Sequence, residues 1–358
     1  MDQQRLKVLL DIEHGIIQAP MAGGITTAAL VSEVSNAGGL GMIAGGSLEP
    51  EALRSLIRET RQRTDRNFGV NLFIPREFEV TDAAIVRAYE RLRPAFDAFG
   101  LEQKPVTPPA PEAIEEKFDA QLDVIIEEQV LVASFIFGVP ADDQITRLKE
   151  AGTVILATAT TAAEALQIET AGLDAVVLQG SEAGGHRGAF LGRSEDSLVG
   201  LMSLIPETAA RVEIPVIAAG GIMTGRNIAA ARVLGAEGVQ MGTAFLAVEE
   251  SGAHPMHKSI LTESEDVPAV LTKLFTGRQA RAVKNRFISE FSAYQEEMVE
   301  YPVQRSLTQP FQDASKESGA PDYAMLLAGE GKQFAREISA RGLVEALVAE
   351  TKESRSDI

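Results

Sequence analysis

Eight short apolar segments recur along the first 260 residues and limit the folds available to this chain. Each is followed by Gly or Pro and then by an Ala-rich stretch with helical periodicity, the pattern of βα units. Five of the seven intervals between their centres are 21–28 residues long. Parallel strands that alternate with helices in this way predict an α/β fold, a TIM (β/α)8 barrel. The segments are 15–18, 41–44, 69–72, 132–136, 154–157, 175–178, 215–218 and 238–241.

The two longer intervals predict insertions after strands 3 and 6, at about 74–130 and 179–213. Both leave from the carboxyl ends of strands, where barrel active sites lie. We therefore expect them to shape the site, with 74–130 as a lid or cap because a proline-rich connector joins its two charged stretches. The βα pattern stops near residue 270. We predict a barrel domain over 1–270, including 74–130, and a C-terminal extension over 271–358 that packs on it.

Composition excludes several kinds of chemistry. The absence of cysteine rules out disulfides, thiolate nucleophiles, iron–sulfur clusters and Cys-based zinc sites. A net charge of −18 disfavours nucleic-acid and membrane partners, so we predict a small-molecule substrate and leave a homo-oligomer open. No segment has the apolar length of a signal peptide or membrane span, which predicts a cytoplasmic protein. His254 and His257 lack a completing ligand, so we predict no metal and assign them to a solvated helix.

Glycine-rich loops follow the seventh and eighth predicted strands. These loops commonly bind phosphate in barrels, because glycine exposes backbone N–H groups and the next helix begins with a positive partial charge. Each loop alone is also compatible with an ordinary turn, but the pair favours phosphate binding. Neither matches a Rossmann fingerprint or a P-loop. The residues are Gly220 and Gly221 in the first loop, and Gln240, Met241, Gly242 and Thr243 in the second.

Three other polar or small segments lie at strand ends. After strand 6, His186 lies among glycines and is the one histidine expected at the barrel mouth. Its imidazole could accept a proton or bind the substrate, or it could be a structural residue that is hydrogen-bonded to the loop. Glu182 and Arg187 flank it as a possible loop ion pair. Asn71 in strand 3 either contacts a heteroaromatic ring or caps a turn. The small residues around Met21, Ala22 and Gly23 permit close backbone approach to a ligand.

Taken in order, these motifs resemble the nitronate monooxygenase family, formerly called 2-nitropropane dioxygenases. The match runs from about residue 14 to 260, and EAGGHRG is its most specific part. The resemblance implies an FMN-binding barrel that oxidises alkyl nitronates with O2 to a carbonyl compound and nitrite, through electron transfer from nitronate to flavin and without NAD(P)H. No metal is implied. The motifs are QAPMAGG, SNAGGLGMIAGG, FGVNLF, QGSEAGGHRG, IPVIAAGGI and GAEGVQMGTAF.

The resemblance also implies a role for each candidate residue. His186 faces the nitronate and, in members that accept neutral nitroalkanes, removes the α-proton. The remaining residues are implied to bind FMN: Asn71 and Gln179 at the ring or ribityl chain, Gly184 against the flavin, Met21, Ala22 and Gly23 under the isoalloxazine, and Gly220, Gly221, Gln240, Met241, Gly242 and Thr243 around the phosphate.

Alternative functions remain open at this stage. One alternative is an FMN-dependent enoyl-acyl-carrier-protein reductase using NADH, whose sequences share SNAGGLG and EAGGH. Such an enzyme needs a basic patch to bind its acidic carrier protein, and the net charge of −18 disfavours such a patch. The residues that could still form one are Arg278, Arg281, Lys284 and Arg286. Inosinate dehydrogenase-like chemistry requires a cysteine, and the chain has none. A non-catalytic flavin-binding protein would keep the phosphate loops without needing His186.

Overall fold

The computed structural model describes residues 4–263 and 267–356, and its strands fall where the apolar segments predict them. The eight predicted segments each contain a strand, and three further short strands lie outside them. The strands are β1 (Ile16–Gln18), β2 (Gly41–Ala44), β3 (Phe68–Phe73), β4 (Val132–Ile136), β5 (Val154–Ala159), β6 (Ala175–Gln179), β7 (Gly185–His186), β8 (Val216–Ala219), β9 (Gly238–Met241), β10 (Ala269–Thr272) and β11 (Ala280–Val283).

Eight strands form one parallel sheet in the order β1-β9-β8-β6-β5-β4-β3-β2. The sheet comes close to closure, because a parallel bridge joins Ile17 to Leu40 and the Leu40 amide donates to the Ile16 carbonyl at 3.0 Å. Successive side chains of each strand point to opposite faces. In β6, Val177 faces the barrel interior, whereas Val176 packs against the surrounding helices. The structure therefore confirms the TIM (β/α)8 barrel.

The helices between the strands cover the outside of the barrel. Several begin at a threonine that caps the first turn, as Thr27, Thr161 and Thr224 do. In the part of the chain that the structure describes, no helix combines the length and apolar character required to cross a membrane. The helices are α1 (Gln4–Leu10), α2 (Ala28–Asn36), α3 (Pro50–Arg61), α4 (Asp82–Asp97), α5 (Pro111–Glu127), α6 (Asp142–Glu150), α7 (Ala162–Thr170), α8 (Leu201–Ala209), α9 (Gly225–Leu234), α10 (Pro255–Glu263), α11 (Arg286–Phe291), α12 (Val303–Glu317) and α13 (Ala340–Ser356).

The insertion after β3 serves two purposes. Its second helix, α5, packs on α3 and β3 and so occupies the place of the third barrel helix. Its first helix, α4, instead packs on α12 of the C-terminal extension. Together, parts of 78–106 and 270–327 form a second hydrophobic cluster, here called the outer cluster, in which the Phe96 and Phe311 rings lie 5.6 Å apart. The division of the chain at residue 270 stays a prediction.

Two further connections tie the C-terminal extension to the barrel. Helix α13 packs on α2 and α9, and the Glu350 carboxylate accepts a hydrogen bond from the Gly225 amide at 2.8 Å. Strands β10, β11 and β7 form a small antiparallel sheet in which His186 pairs with Ala280. This sheet holds the loop after β6 against the extension.

Candidate active site

A cavity of about 450 Å³ opens at the carboxyl ends of the barrel strands. It has the size and position typical of a barrel active site. All thirteen residues selected from the sequence line it, although they come from loops far apart in the chain. They are Met21, Ala22, Gly23, Asn71, Gln179, Gly184, His186, Gly220, Gly221, Gln240, Met241, Gly242 and Thr243.

One end of the cavity is built largely from backbone. Strands β8 and β9 are neighbours, with Ala219 paired to Gln240, so the two glycine-rich loops lie side by side. Gly220 and Gly221 adopt φ angles of 125° and 64°, a region that favours glycine. A Cβ on Gly242 would meet no atom closer than 3.6 Å, so this loop leaves space in front of its backbone.

The Gln240 side chain presents an unusual polar group to this end. Its Oε1 is buried and has no hydrogen-bond partner among the described residues. A buried acceptor without a donor carries a desolvation cost. The arrangement therefore suits a ligand that donates a hydrogen bond.

Hydrogen bonds to Thr26 fix the conformation of the loop after β1. The Thr26 hydroxyl accepts a hydrogen bond from the Met21 amide at 2.9 Å, and the Thr26 amide donates to the Met21 carbonyl at 3.1 Å. Gly23 has a φ of 78°, and no atom lies within 4 Å of where its Cβ would be. This segment therefore presents a fixed backbone beside open space.

Amide side chains at the ends of β3 and β6 stabilise the rim. The Asn71 amide donates to Ser134 Oγ at 3.2 Å, across to β4. The Gln179 amide donates to the His186 carbonyl at 2.9 Å and accepts from the Gly188 amide at 2.8 Å. Gln179 therefore holds the histidine loop in place.

Arg187 has a structural role that the sequence reading missed. The expected ion pair with Glu182 is wrong: the Glu182 carboxylate instead accepts from the Leu201 amide at 2.9 Å. Arg187 is 5% exposed and donates to the carbonyls of Gln179 and Gly180 at 2.6 and 2.8 Å. Burial, above all, lowers its pKa to about 10. It remains protonated at neutral pH and supports the loop from below.

A segment of the C-terminal extension closes one side of the cavity. A Cβ on Gly184 would overlap the backbone of Ala328 and Gly329, and the Gly329 amide donates to Thr243 Oγ1 at 2.9 Å. Gly184 thus has to be glycine because another segment approaches it closely. No local signal in the sequence indicates this contact.

His186 lies at the side-chain-rich end of the cavity. Its Nε2 is 2.9 Å from Thr276 Oγ1, and the same hydroxyl donates to the Arg278 carbonyl at 3.2 Å. Thr276 Oγ1 therefore engages Nε2 of the imidazole, and Nδ1 is the ring nitrogen that this contact leaves available. Burial, followed by the charges of Arg278 and Arg305, lowers the pKa of His186 to about 3. The imidazole is neutral at pH 7.

Phe137 and Arg278 form the wall next to His186. Phe137 has a φ of 77°, which is strained for a bulky side chain, and such strain concentrates at functional sites. The Arg278 Cζ lies over its ring, 3.8 Å from the centroid. The edge of the Phe137 ring also approaches His186, with centroids 6.4 Å apart. The sequence reading did not select Phe137 or Thr276, because they lie 49 and 90 residues from His186 in the chain and no local pattern links them to it.

The basic residues considered as a carrier-protein patch do not lie together on the surface. Arg281 is buried and forms an ion pair with Glu330 at 3.0 Å. Arg286 pairs with Glu290 at 2.6 Å, and Lys284 does not line the cavity. Of the four residues, Arg278 alone lines it.

The solvated helix expected for His254 and His257 is only half right. His254 is exposed, but His257 is 4% exposed and packs inside the structure. Burial lowers its pKa to about 4. Within residues 4–263 and 267–356, no group of three or more histidine, aspartate or glutamate side chains is arranged to hold a metal.

The barrel and the cavity at its mouth define the class, a (β/α)8-barrel enzyme. Residues 3–350 match the nitronate monooxygenase family. A probable nitronate monooxygenase of Staphylococcus aureus (strain MSSA476) is 42% identical over 348 residues, 97% of each chain. The chain therefore belongs to the nitronate monooxygenase family and is an oxidoreductase.

Two solved structures are similar to this chain over nearly its whole length. A nitroalkane oxidase from Streptomyces ansochromogenes is 41% identical, with a TM-score of 0.91 and 99% of both chains covered. FabK from Thermotoga maritima is 32% identical, with a TM-score of 0.75 and coverage of 99% of this chain and 97% of that one. Both similarities extend over the insertion and the C-terminal extension as well as the barrel.

Proposed function

We propose that this protein catalyses the FMN-dependent oxidation of alkyl nitronates by O2 to a carbonyl compound and nitrite, without NAD(P)H. The observation that carries the proposal is the cavity itself, which has glycine backbone at one end and a neutral histidine at the other. One end suits a phosphate and the other suits an organic substrate. Membership of the nitronate monooxygenase family supports the reaction class.

The residues present fit a flavin mononucleotide. Gly220 and Gly221 adopt positive φ angles, and Gly242 leaves space in front of its backbone, so these loops would hold one phosphate. The buried Gln240 Oε1 lacks the donor that a flavin N–H or hydroxyl supplies. Asn71, Gln179 and the Met21–Gly23 loop would border the ring and ribityl chain. A bound flavin supplies the electron-accepting chemistry that amino-acid side chains lack.

His186 has a limited capacity as a base. Its pKa is about 3, and its Nε2 already contacts Thr276 Oγ1, so the imidazole offers only Nδ1 to a substrate. It is a weak acceptor for the α-proton of a neutral nitroalkane, because proton transfer is most efficient when the base has a pKa near the working pH. We therefore propose that preformed nitronate, which has already lost this proton, is the preferred substrate form.

The direct test is an absorbance spectrum of the purified protein, followed by anaerobic addition of propane-2-nitronate and then of oxygen. We expect a flavin spectrum, release of FMN on denaturation, bleaching by nitronate, and oxygen uptake with nitrite formation. Recovery of FAD, or no oxygen uptake with nitronate, would contradict the proposal.

A parallel anaerobic addition of NADH separates this function from an enoyl reductase. Bleaching by NADH but not by nitronate would favour the reductase, for which the predicted basic patch is not formed. A yellow protein that is inert to both reductants would indicate a flavin-binding role without catalysis.

A further inference from the structure

Arg278 has no direct ion-pair partner among the described residues, although the more distant Tyr301 and Glu300 favour its charged form. Its guanidinium lies partly buried over Phe137 and lines the cavity, yet none of the described residues forms a salt bridge or a side-chain hydrogen bond with it. Other buried arginines of this chain are satisfied, Arg187 by carbonyls and Arg281 by Glu330. A cation held out of water without a counterion is costly unless a ligand supplies the anion.

The cavity that contains His186 has more basic than acidic side chains in its lining, in a strongly acidic protein. Arg305 and Lys316 line the same cavity, whereas Asp313 is its one lining carboxylate among the described residues and is exposed. The whole chain, in contrast, carries a formal charge of −18. Local positive charge in a cleft attracts anions to that position and not to the rest of the surface.

His186 is unsuited to hold an anion by itself. It is neutral at pH 7, and its Nε2 already contacts Thr276 Oγ1 at 2.9 Å. A neutral imidazole supplies no positive charge to an anion. Of the two arginine charges that act on His186, the charge of Arg278 has the larger effect, which makes it the better placed cation.

We propose that Arg278, held against the Phe137 ring, binds the two oxygens of the nitronate anion and positions the substrate beside His186. This inference rests on the proposed function and names the group that recognises its substrate. A nitronate, like a carboxylate, presents two oxygens in one plane, which match the planar fork of a guanidinium. Stacking on an aromatic ring restricts the guanidinium and leaves its N–H edge available.

Arg278 lies between two cavities. A second cavity of about 820 Å³, here called the outer cavity, adjoins the first, and Phe137, Arg278, Tyr301 and Arg305 line both. Arg278 therefore stands on the shared wall, whereas His186 lines the first cavity and not the outer one.

The test compares Arg278→Met with the matched variant Arg76→Met. Arg76 lines the outer cavity but not the inner one, and its loss removes the same charge nearby. For Arg278→Met we expect KM for propane-2-nitronate to rise at least about tenfold, with a smaller change in kcat, because removing a charge-assisted pair weakens binding by about that factor. Arg76→Met should change KM less than about threefold, as expected for a more distant charge.

Nitrate, a planar anion that cannot be oxidised in this way, provides a second readout. We expect it to compete with nitronate in the wild type and to lose most of its binding, by calorimetry and as an inhibitor, in Arg278→Met. Wild-type KM and nitrate binding in Arg278→Met, or equal losses in Arg76→Met, would overturn the inference. If Arg278→Met does not fold, Arg278→Lys tests the inference instead. Lysine keeps the positive charge but lacks the two-pronged guanidinium, so we expect a KM between those of the wild type and of a variant without the charge.

The two proposals fail differently. A wild-type protein that does not consume nitronate refutes the proposed function, whereas Arg278-dependent nitrate binding can still be measured by calorimetry. Nitronate oxidation that is independent of Arg278 refutes the anion site alone.

Discussion

The two ends of the cavity are built by different means. The glycine end consists of backbone from two adjacent barrel loops, and each loop is continuous in sequence. The opposite end consists of side chains, with His186, Phe137 and Arg278 contributed by three distant segments. The first end depends on the barrel, whereas the second also depends on the outer cluster, which packs behind residues 275–278.

This difference indicates which properties can vary independently. A barrel loop can keep a cofactor in place while the insertion and extension alter the groups that meet the substrate. We therefore expect variants of the outer cluster and of the side-chain end to change stability or substrate handling with FMN retained. Variants of the glycine end should change FMN binding.

The largest expected effect is on folding of the outer cluster. Phe287 is fully buried, with its ring 4.8 Å from Phe275 and 5.1 Å from Phe311. Phe287→Ala should destabilise this region by about 3–5 kcal/mol, the usual cost of deleting a buried phenyl ring. Unfolding in urea can be followed by tyrosine fluorescence, because the chain has no tryptophan and its four tyrosines lie in or beside the outer cluster. They are Tyr89, Tyr294, Tyr301 and Tyr323.

Phe334→Ala is the matched control, because Phe334 is 52% exposed and its loss should cost little. At low urea, native Phe287→Ala should still bind FMN. Loss of FMN from the folded variant would break the proposed independence of the two ends.

The next effect concerns His186. His186→Asn should keep FMN and lower turnover on any neutral nitroalkane by less than the about 100-fold usual for a well-matched general base, because a base with a pKa of about 3 contributes less to proton transfer. Preformed nitronate should be affected less, because its α-proton is already gone and asparagine can hydrogen-bond in place of the imidazole. His254→Asn, at an exposed histidine, is the control. Wild-type kinetics on both substrate forms would make His186 a structural residue.

A smaller effect is expected at the glycine end. Gly242→Asp should lower FMN affinity by about tenfold, because a carboxylate opposes the phosphate. The side chain has space, since Ala19 Cβ at 3.6 Å is the nearest atom to the added Cβ. Gly242→Asn has the same size without the charge and should retain more FMN. The measurement is FMN occupancy by absorbance after dialysis; equal occupancy in both variants would argue against a phosphate there.

The smallest effect is a dependence of stability on pH. His257 has a pKa of about 4 in the folded protein, below its ordinary value of 6.5, so the unfolded chain binds more protons between these values. Its stabilising contribution is complete above pH 6.5 and is lost as the pH falls towards 4. His257→Leu should therefore show a shallower fall in melting temperature between pH 6.5 and 4 than the wild type. An identical fall would show that His257 does not contribute to acid sensitivity.

The sequence by itself determined the barrel and most of the lining of the glycine end. Its eight apolar segments correspond to the eight barrel strands because strands buried on both faces need continuous apolar runs. Gly220, Gly221 and Gly242 could be selected because the backbone conformation and close approach that a loop requires leave a local mark, namely glycine. His186 could be recognised as a candidate because the glycines on either side of it also leave a local mark in the sequence.

Only the tertiary structure decided the side-chain end. Phe137 follows barrel strand β4, whereas Thr276 and Arg278 reach His186 from the C-terminal extension, and no periodicity or motif records a contact between such distant segments. The charge states of buried groups also depend on the tertiary structure. Burial is the main reason why the pKa of His186 falls to about 3 and that of Arg278 to about 10, and burial is a property of the folded chain, not of a residue type.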